Sequence, residues 1–152
     1  MALGTPYLVD TSALSRVAVP AVGNRLSPLA RLGMLATCSI VDLELGFSAR
    51  SAEHHSEIIA ARKKLPQAPV HQSTLDRALE LQAVLARIGH HRVPLQDLII
   101  AACAIDNGMV VMHYDKDFDT IAAVSELRSD WVVPRGSVES HPRRAEAEIP
   151  LH

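Results

Sequence analysis

Carboxylates that could hold a cation occur at four separated places in the sequence. Asp10 follows the short apolar run Tyr7–Val9, and Asp115 follows a second apolar run at residues 109–112. Both runs are predicted to be β-strands. Ligands of open α/β sheets bind beyond the carboxyl ends of the strands, so both acids are expected at that edge. Each acid taken alone is equally well explained as the N-cap of a helix.

Glu44 and Asp97 lie within predicted helices, and each shares a helical stripe with apolar residues. The neighbours of Glu44 are Ile40, Leu43 and Phe47, and those of Asp97 are Ile100, Ala101 and Ala104. Residues three and four apart share one face of a helix, so each acid is expected to point into the core. A buried carboxylate without a partner costs several kcal/mol, and neither stripe contains a basic residue.

A divalent cation would account for all four carboxylates together. Clustered carboxylates raise one another's pKa unless a cation lies among them. Mg²⁺ and Mn²⁺ prefer oxygen ligands, and Mg²⁺ keeps several waters when one or two carboxylates bind it. The placement of charge therefore predicts a metal site whose ligands are Asp10, Glu44, Asp97 and Asp115. Asp117 is predicted to be a secondary ligand, a residue behind the ligands or a helix cap.

Short strands alternate with helices along the chain, which favours an α/β fold with a parallel sheet. Strands are predicted at residues 7–9, 34–39, 70–71, 109–113 and 130–133. Helices are predicted at residues 25–32, 39–50, 53–65, 75–88, 95–106 and 115–124. A length of 152 residues suits one domain. That domain is predicted to span residues 1–134, and residues 135–152 form a polar tail that is expected to be disordered.

The composition limits the classes of partner. A formal net charge of −2 provides no electrostatic footprint for long nucleic acid. A patch of basic residues could still steer phosphates, although a solvated helix face explains the same residues equally well. The patch consists of Arg50, Arg62, Lys63 and Lys64. No signal peptide or membrane-spanning run is apparent, so the protein is expected in the cytoplasm without a membrane partner. Cys38 and Cys103 are expected to be reduced core residues.

The eight histidines raise the question of a zinc site. His54–His55 and His90–His91 are adjacent pairs, and adjacent residues do not share a helix face. The sequence contains neither an HExxH motif nor a pair of CxxC motifs. The paired histidines are therefore predicted to be solvated. His113 could reach the acidic site, although packing within a strand is the simpler interpretation.

The sequence resembles the PIN-domain ribonucleases, especially the VapC toxins of bacterial toxin–antitoxin pairs. The segments that carry the resemblance are residues 8–14 (LVDTSAL), 39–46 (SIVDLELG), 96–102 (QDLIIAA) and 115–118 (DKDF). Their order and spacing match the family from about residue 7 to residue 133. Members of the family often have Ser or Thr two residues before the fourth acid, where this chain has His113. This departure leaves the surroundings of Asp115 open.

The resemblance implies an α/β fold, namely a PIN-like three-layer α/β/α sandwich with a central parallel sheet. It also implies a ribonuclease that depends on Mg²⁺ or Mn²⁺ and has RNA as its substrate. The family's acidic ligands map onto Asp10, Glu44, Asp97 and Asp115, with Ser12 as a supporting residue and Asp117 as an additional acid. The toxin branch implies a homodimer and a small VapB-like antitoxin that blocks the site.

Two other classes of protein match the sequence less well. A phosphatase of the haloacid dehalogenase type would carry a second Asp where this chain has Ser12. A receiver-like signalling domain would need paired acids at the end of the first strand and a lysine late in the chain. Within the family, a housekeeping RNA-processing nuclease and a non-catalytic interaction module are the alternatives to a toxin. The complete set of acids argues against the interaction module.

Overall fold

A parallel β-sheet forms the centre of the molecule. The computed structural model describes residues 4–138; residues 1–3 and 139–152, which include most of the predicted tail, lie outside the described part. The strands are β1 (Tyr7–Val9), β2 (Leu35–Ala36), β3 (Val110–His113) and β4 (Ser129–Trp131). Their order in the sheet is β2–β1–β3–β4, and each neighbouring pair is parallel.

Helices connect the strands and flank the sheet. They are α1 (Thr11–Leu14), α2 (Pro20–Arg31), α3 (Ser39–Phe47), α4 (Ala52–Arg62), α5 (Gln72–Ala86), α6 (Leu95–Asp106) and α7 (Asp117–Ala122). The predicted three-layer α/β/α sandwich with a central parallel sheet is confirmed.

Helix α6 is the helix that the core surrounds most completely. Residues 100–104 are fully buried, and the helix packs against α5, α7 and β3. Pro94 precedes the first turn, where its missing N–H removes no helical hydrogen bond. Gly108 has a φ of 64°, which L-residues with side chains rarely adopt, and the chain turns there into β3. The sequence thus places Asp97 in the first turn of a buried helix.

Two local predictions differ from the structure. Helix α2 begins at Pro20 and not at residue 25 as predicted, because Pro is compatible with the first helical position, where its fixed φ suits the helix. The predicted strand at residues 70–71 is wrong, since neither residue belongs to a strand. His71 instead caps α5, and its backbone N–H donates a hydrogen bond to the Thr74 hydroxyl at 3.1 Å.

The two cysteines lie together in the core. Cys38 immediately precedes α3 and Cys103 lies within α6, and both are fully buried with free thiols. The Cys103 thiol donates a hydrogen bond to the Pro69 carbonyl at 3.5 Å. The prediction that both are core residues is confirmed.

Residues 135–138, the first part of the predicted tail, contact the domain. The Tyr114 hydroxyl accepts hydrogen bonds from the N–H groups of Gly136 and Val138 at 2.9 and 3.2 Å. It also lies 3.0 Å from the Val138 carbonyl, to which it can donate. The domain boundary at residue 134 stays a prediction. No helix within residues 4–138 has the length and apolar character needed to cross a membrane.

Candidate active site

The carboxyl ends of β1 and β3 meet at one edge of the sheet. The two strands pair in parallel, with Val9 opposite Met112. The Asp10 N–H continues this pairing by donating to the Met112 carbonyl at 2.9 Å. Asp10 and Asp115 follow the two strand ends, so the parallel pairing brings both acids to the same edge of the sheet.

Asp10 is a buried carboxylate that caps helix α1. Its Oδ2 accepts hydrogen bonds from the Ser12 N–H at 3.0 Å and from the Ser12 hydroxyl at 2.5 Å. The Ser12 oxygen in turn accepts the Tyr114 N–H at 2.9 Å, so Ser12 connects the ends of β1 and β3. Burial raises the pKa of Asp10, as does the charge of Asp115, while the Ser12 hydrogen bonds act in the opposite direction.

Three of the acids converge on one point. One carboxylate oxygen from each of Asp97, Asp115 and Asp117 lies within 4.8 Å of the other two. Asp97 comes from the first turn of α6, and Asp117 is the first residue of α7. The Asp117 N–H donates to Asp115 Oδ1 at 2.9 Å, which fixes these two acids relative to each other. Burial and the Asp115 charge raise the pKa of Asp117.

Asp97 is the acid with the most unfavourable environment. Its Oδ2 is buried without a hydrogen-bond partner among the described residues. Burial is the largest cause that raises its pKa, to about 8, and the charges of Asp10, Asp115, Asp117 and Glu44 raise it further. The five acids therefore behave as one electrostatic unit. An orphaned carboxylate oxygen among other carboxylates is a donor set that fits a hard divalent cation.

Glu44 lies apart from the three converging acids. It is half-buried, and its Oε1 accepts a hydrogen bond from the Thr11 hydroxyl at 3.2 Å. Burial raises its pKa, and the charge of Asp10 raises it further. Glu44 therefore belongs to the electrostatic unit through Asp10, while its carboxylate is not part of the group of three.

The expectation that Glu44 points into the core is wrong. Its stripe neighbours Leu43 and Phe47 are 70% and 94% exposed, whereas α3 buries Val41 and Leu45. Both sides of α3 carry apolar residues, and spacing alone does not tell which side meets the core. The same expectation for Asp97 agrees with the structure, because Ile100, Ala101 and Ala104 are all fully buried.

His113 accounts for the departure from the family pattern before the fourth acid. Its Nδ1 accepts a hydrogen bond from the Asp115 N–H at 3.1 Å. A Ser or Thr hydroxyl at this position can make the same contact with the N–H two residues later. The imidazole is fully buried and lies against the rings of Phe118 and Trp131, with centroids 5.0 and 5.1 Å away. Burial lowers its pKa to about 4, so the ring is neutral near pH 7.

Arg16 is a cationic neighbour of the site that the sequence analysis missed. It is buried, and its Nη1 donates to the Ser12 carbonyl at 2.5 Å. Its guanidinium carbon lies 4.8 Å from the centroid of the Tyr114 ring. The stripes of Glu44 and Asp97 contain no base, and Arg16 lies just beyond α1, which ends at Leu14. Its position only four residues after Ser12 is the sequence signal that points to it.

The other basic and metal-binding hypotheses have different outcomes. Arg62 is buried and its charge is stabilised by Asp42, so it does not belong to an exposed basic patch with Arg50, Lys63 and Lys64.

Within residues 4–138, the group of three or more potential ligands consists of carboxylates and contains no histidine or cysteine. This result favours an oxygen-only site over a zinc site.

The aromatic side chain of Trp131 lies beside the acidic edge. The Trp131 ring packs against His113 and, at a centroid distance of 5.3 Å, edge-on against Tyr114. Its indole N–H donates to the Asp119 carboxylate at 3.0 Å. Trp131 therefore joins the end of β4 to α7, the helix that begins with Asp117.

Known proteins similar to this chain agree with the acidic site and the fold. The model of the PIN domain family matches residues 7–124. Ribonuclease VapC21 of Mycobacterium tuberculosis is 46% identical over 135 residues, which cover 88% of this chain and 98% of that protein. Ribonuclease VapC51 of the same organism is 39% identical over 88% of this chain and 97% of its own length.

Solved structures share the fold at lower sequence identity. VapBC2 from Rickettsia felis, bound to a DNA fragment from its promoter, aligns with a TM-score of 0.69 and 19% identity over 82% of this chain and 96% of that chain. DNA-bound VapBC from Salmonella typhimurium aligns with a TM-score of 0.68 and 17% identity over 84% and 98% of the two chains. The protein described here belongs to the PIN domain family and, within it, to the VapC group.

Proposed function

We propose that this protein is the endoribonuclease toxin of a toxin–antitoxin pair and hydrolyses RNA phosphodiester bonds at a Mg²⁺ or Mn²⁺ site. The VapC ribonucleases that it resembles over nearly their whole length support the reaction class. The observation that carries the metal site is the buried Asp97 Oδ2, which has no described partner and lies beside Asp115 and Asp117. The location proposed for this activity is the cytoplasm.

Carboxylates from several elements contribute to the proposed cation site. One carboxylate oxygen from each of Asp97, Asp115 and Asp117 is close enough for one ion to contact all three, and the charges of Asp10 and Glu44 act on Asp97. The ligands proposed are Asp10, Glu44, Asp97 and Asp115, bound directly or through the waters that such an ion keeps, with Asp117 as a further acid. Ser12 is proposed to support them by keeping Asp10 hydrogen-bonded to the end of β3.

The reaction requires a nucleophilic water and neutralisation of charge on the scissile phosphate. When bound, one or two divalent ions would supply both functions. The carboxylates alone would repel the substrate phosphate, so binding of the phosphate at this edge would need the charge of a bound cation. His113 is neutral and has its Nδ1 engaged by the Asp115 N–H, so its role is to hold that acid in place.

The antitoxin partner is proposed from the family and from one surface. VapBC complexes from Rickettsia felis and Salmonella typhimurium share this fold. Leu43 and Phe47 are exposed on α3, on either side of Glu44 in the sequence. An exposed apolar pair beside an acidic site suits a partner segment that covers it. We infer that a VapB-like antitoxin binds there and blocks access to the carboxylates.

A homodimer is proposed from a second apolar surface. Helices α5 and α6 form an open groove of about 190 Å³ whose lining includes Leu75, Leu79, Leu95, Leu98 and Ile99. Leu75, Leu79 and Leu95 are exposed, which is unusual for three neighbouring leucines of one groove. We infer that a second copy of the chain covers this groove.

The test is a cleavage assay on total RNA with Mg²⁺, with Mn²⁺ and with a chelator. We expect cleavage with metal, no cleavage with chelator, and loss of cleavage to background in Asp10→Asn and Asp97→Asn. Both substitutions remove a charge that a cation needs while keeping the size of the side chain. Circular dichroism checks that the variants fold.

The matched control is Asp76→Asn on α5, which removes an exposed carboxylate hydrogen-bonded to Gln72. This variant is expected to cleave RNA like the unmodified protein. Full activity in folded Asp10→Asn or Asp97→Asn would refute the assignment of these ligands. Absence of cleavage with either metal would favour a non-catalytic interaction module.

A further inference from the structure

Arg16 is held at the acidic site by contacts with both strand ends. Its side chain is only 7% exposed. Nη1 donates to the carbonyl of Ser12, which follows Asp10 by two residues, and the guanidinium stacks on Tyr114, which precedes Asp115. A guanidinium with a hydrogen bond on its edge and a ring on its face has little freedom to leave.

The charge of Arg16 acts on the acids themselves. Burial lowers the pKa of Arg16, while Tyr114, then Asp115 and Asp10, favour its charged form. The reverse follows from Coulomb's law, since Arg16 stabilises the negative charges of these two carboxylates by the same interaction. A cation therefore already lies near the acidic site within the chain.

Arg62 provides an internal comparison. It is also 7% exposed, and its charge is stabilised by Asp42 on α3. Its Nε and Nη1 are buried without hydrogen-bond partners among residues 4–138. The two arginines thus share their burial, and they differ in the carboxylates that surround them.

We propose that Arg16 is a positioning residue and the built-in counter-cation of the acidic site, which holds Asp10 and Asp115 close together before a divalent ion binds and weakens the binding of that ion. This inference rests on the proposed metal site. The guanidinium does not take the place of the divalent ion, since Asp97 Oδ2 has no hydrogen-bond partner among the described residues. It lowers the repulsion of the metal-free site and, by the same charge, repels an incoming cation.

Two effects of opposite sign follow from replacing Arg16 with a neutral residue. The metal-free protein loses the counter-cation, so its melting temperature falls. The divalent ion no longer meets a positive charge nearby, so it binds more tightly. A purely structural role for Arg16 would lower the melting temperature too, but it would leave metal affinity unchanged or weaken it.

The experiment follows thermal unfolding of the full chain during a Mn²⁺ titration that starts from chelator-treated protein. For Arg16→Met we expect a lower melting temperature without metal and a Mn²⁺ concentration for half-maximal stabilisation that is roughly threefold to tenfold lower than in the unmodified protein. Arg16→Gln, which is neutral and can still donate to the Ser12 carbonyl, is expected to show the same change in Mn²⁺ response.

Two further variants separate charge from packing. Arg16→Lys keeps the charge and is expected to keep the original Mn²⁺ response, so a tighter response in this variant would contradict the proposal. Arg62→Met removes an equally buried arginine and is expected to change stability without changing the Mn²⁺ concentration for half-maximal stabilisation.

The outcomes distinguish this inference from the metal site on which it rests. If the unmodified protein shows no stabilisation by Mn²⁺, the proposed metal site itself is wrong. If the unmodified protein responds and Arg16→Met or Arg16→Gln binds Mn²⁺ equally or more weakly, the metal site stands and the role proposed for Arg16 is wrong.

Discussion

Helices α3 and α6 present the same sequence pattern in opposite environments. On each helix one acid shares a stripe with three apolar residues, Glu44 on α3 and Asp97 on α6. On α6 these apolar neighbours are fully buried, and Asp97 is buried with them. On α3 two of the three, Leu43 and Phe47, are exposed, and Glu44 is half-buried. An apolar stripe therefore does not by itself show that a helix face meets the core, because the same pattern also occurs on an exposed face.

The largest difference between the two stripes should appear in folding stability. Ile100→Ala on α6 is expected to lower the free energy of unfolding by about 2–5 kcal/mol, because it leaves a cavity in the core. Phe47→Ala on α3 is expected to change it by less than about 0.5 kcal/mol, since the ring is exposed. Urea unfolding of both variants measures the contrast, and similar losses would mean that Phe47 is packed.

The second difference concerns the acids and pH. The pKa of Asp97 is about 8 in the folded chain against 3.8 for an ordinary Asp, so between these values the folded state binds more protons than the unfolded state. Protonated Asp97 therefore stabilises the folded, metal-free protein relative to the unfolded chain. This contribution is complete below about pH 4 and is lost as the pH rises towards 8. Asp97→Asn removes this loss.

We accordingly expect Asp97→Asn to be more stable than the unmodified protein in chelator at pH 8, by an amount that shrinks at pH 5. Glu44→Gln should show a smaller gain in the same direction, because burial raises the pKa of Glu44 but this residue is less buried and has the Thr11 hydrogen bond. Urea unfolding at both pH values measures the two gains. An equal gain at pH 5 and pH 8 would contradict the pKa assigned to Asp97.

The smallest effect on folding concerns the exposed leucines beside α6. Leu79→Lys in the groove of α5 and α6 is expected to leave the free energy of unfolding within about 0.5 kcal/mol, because the residue is exposed. It should nevertheless convert the proposed dimer into a monomer in sedimentation experiments. Glu80→Lys, the next residue on α5 and outside this groove, is the control and should stay dimeric. A dimer that survives Leu79→Lys would exclude this groove as the interface.

Much of the fold followed from local sequence features. The apolar runs before Asp10 and Asp115 predicted β1 and β3, and Pro94 and Gly108 bounded α6 closely. The start of α2 at Pro20 was missed, because the same residue breaks a helix in its interior and begins one at its first position. Local rules do not decide between these two uses.

The candidate site was less accessible from the sequence, and its ligands stay predictions. The acids were recognisable because strand ends and buried stripes restrict where charge can lie. The surroundings of Glu44 were misjudged, because periodicity does not identify the face that meets the core. The contact between Arg16 and Tyr114 joins residues far apart in the chain, so it depends on the pairing of β1 with β3. No spacing within a single helix contains that information.

Trp131 gives this protein an internal optical label. It is the only tryptophan in the sequence, so indole emission from the folded chain comes from one place. Its N–H contacts Asp119 on α7 and its ring faces His113, which holds Asp115. Emission intensity can therefore follow events at the acidic edge of the sheet in real time, in unlabelled protein and in dilute solution.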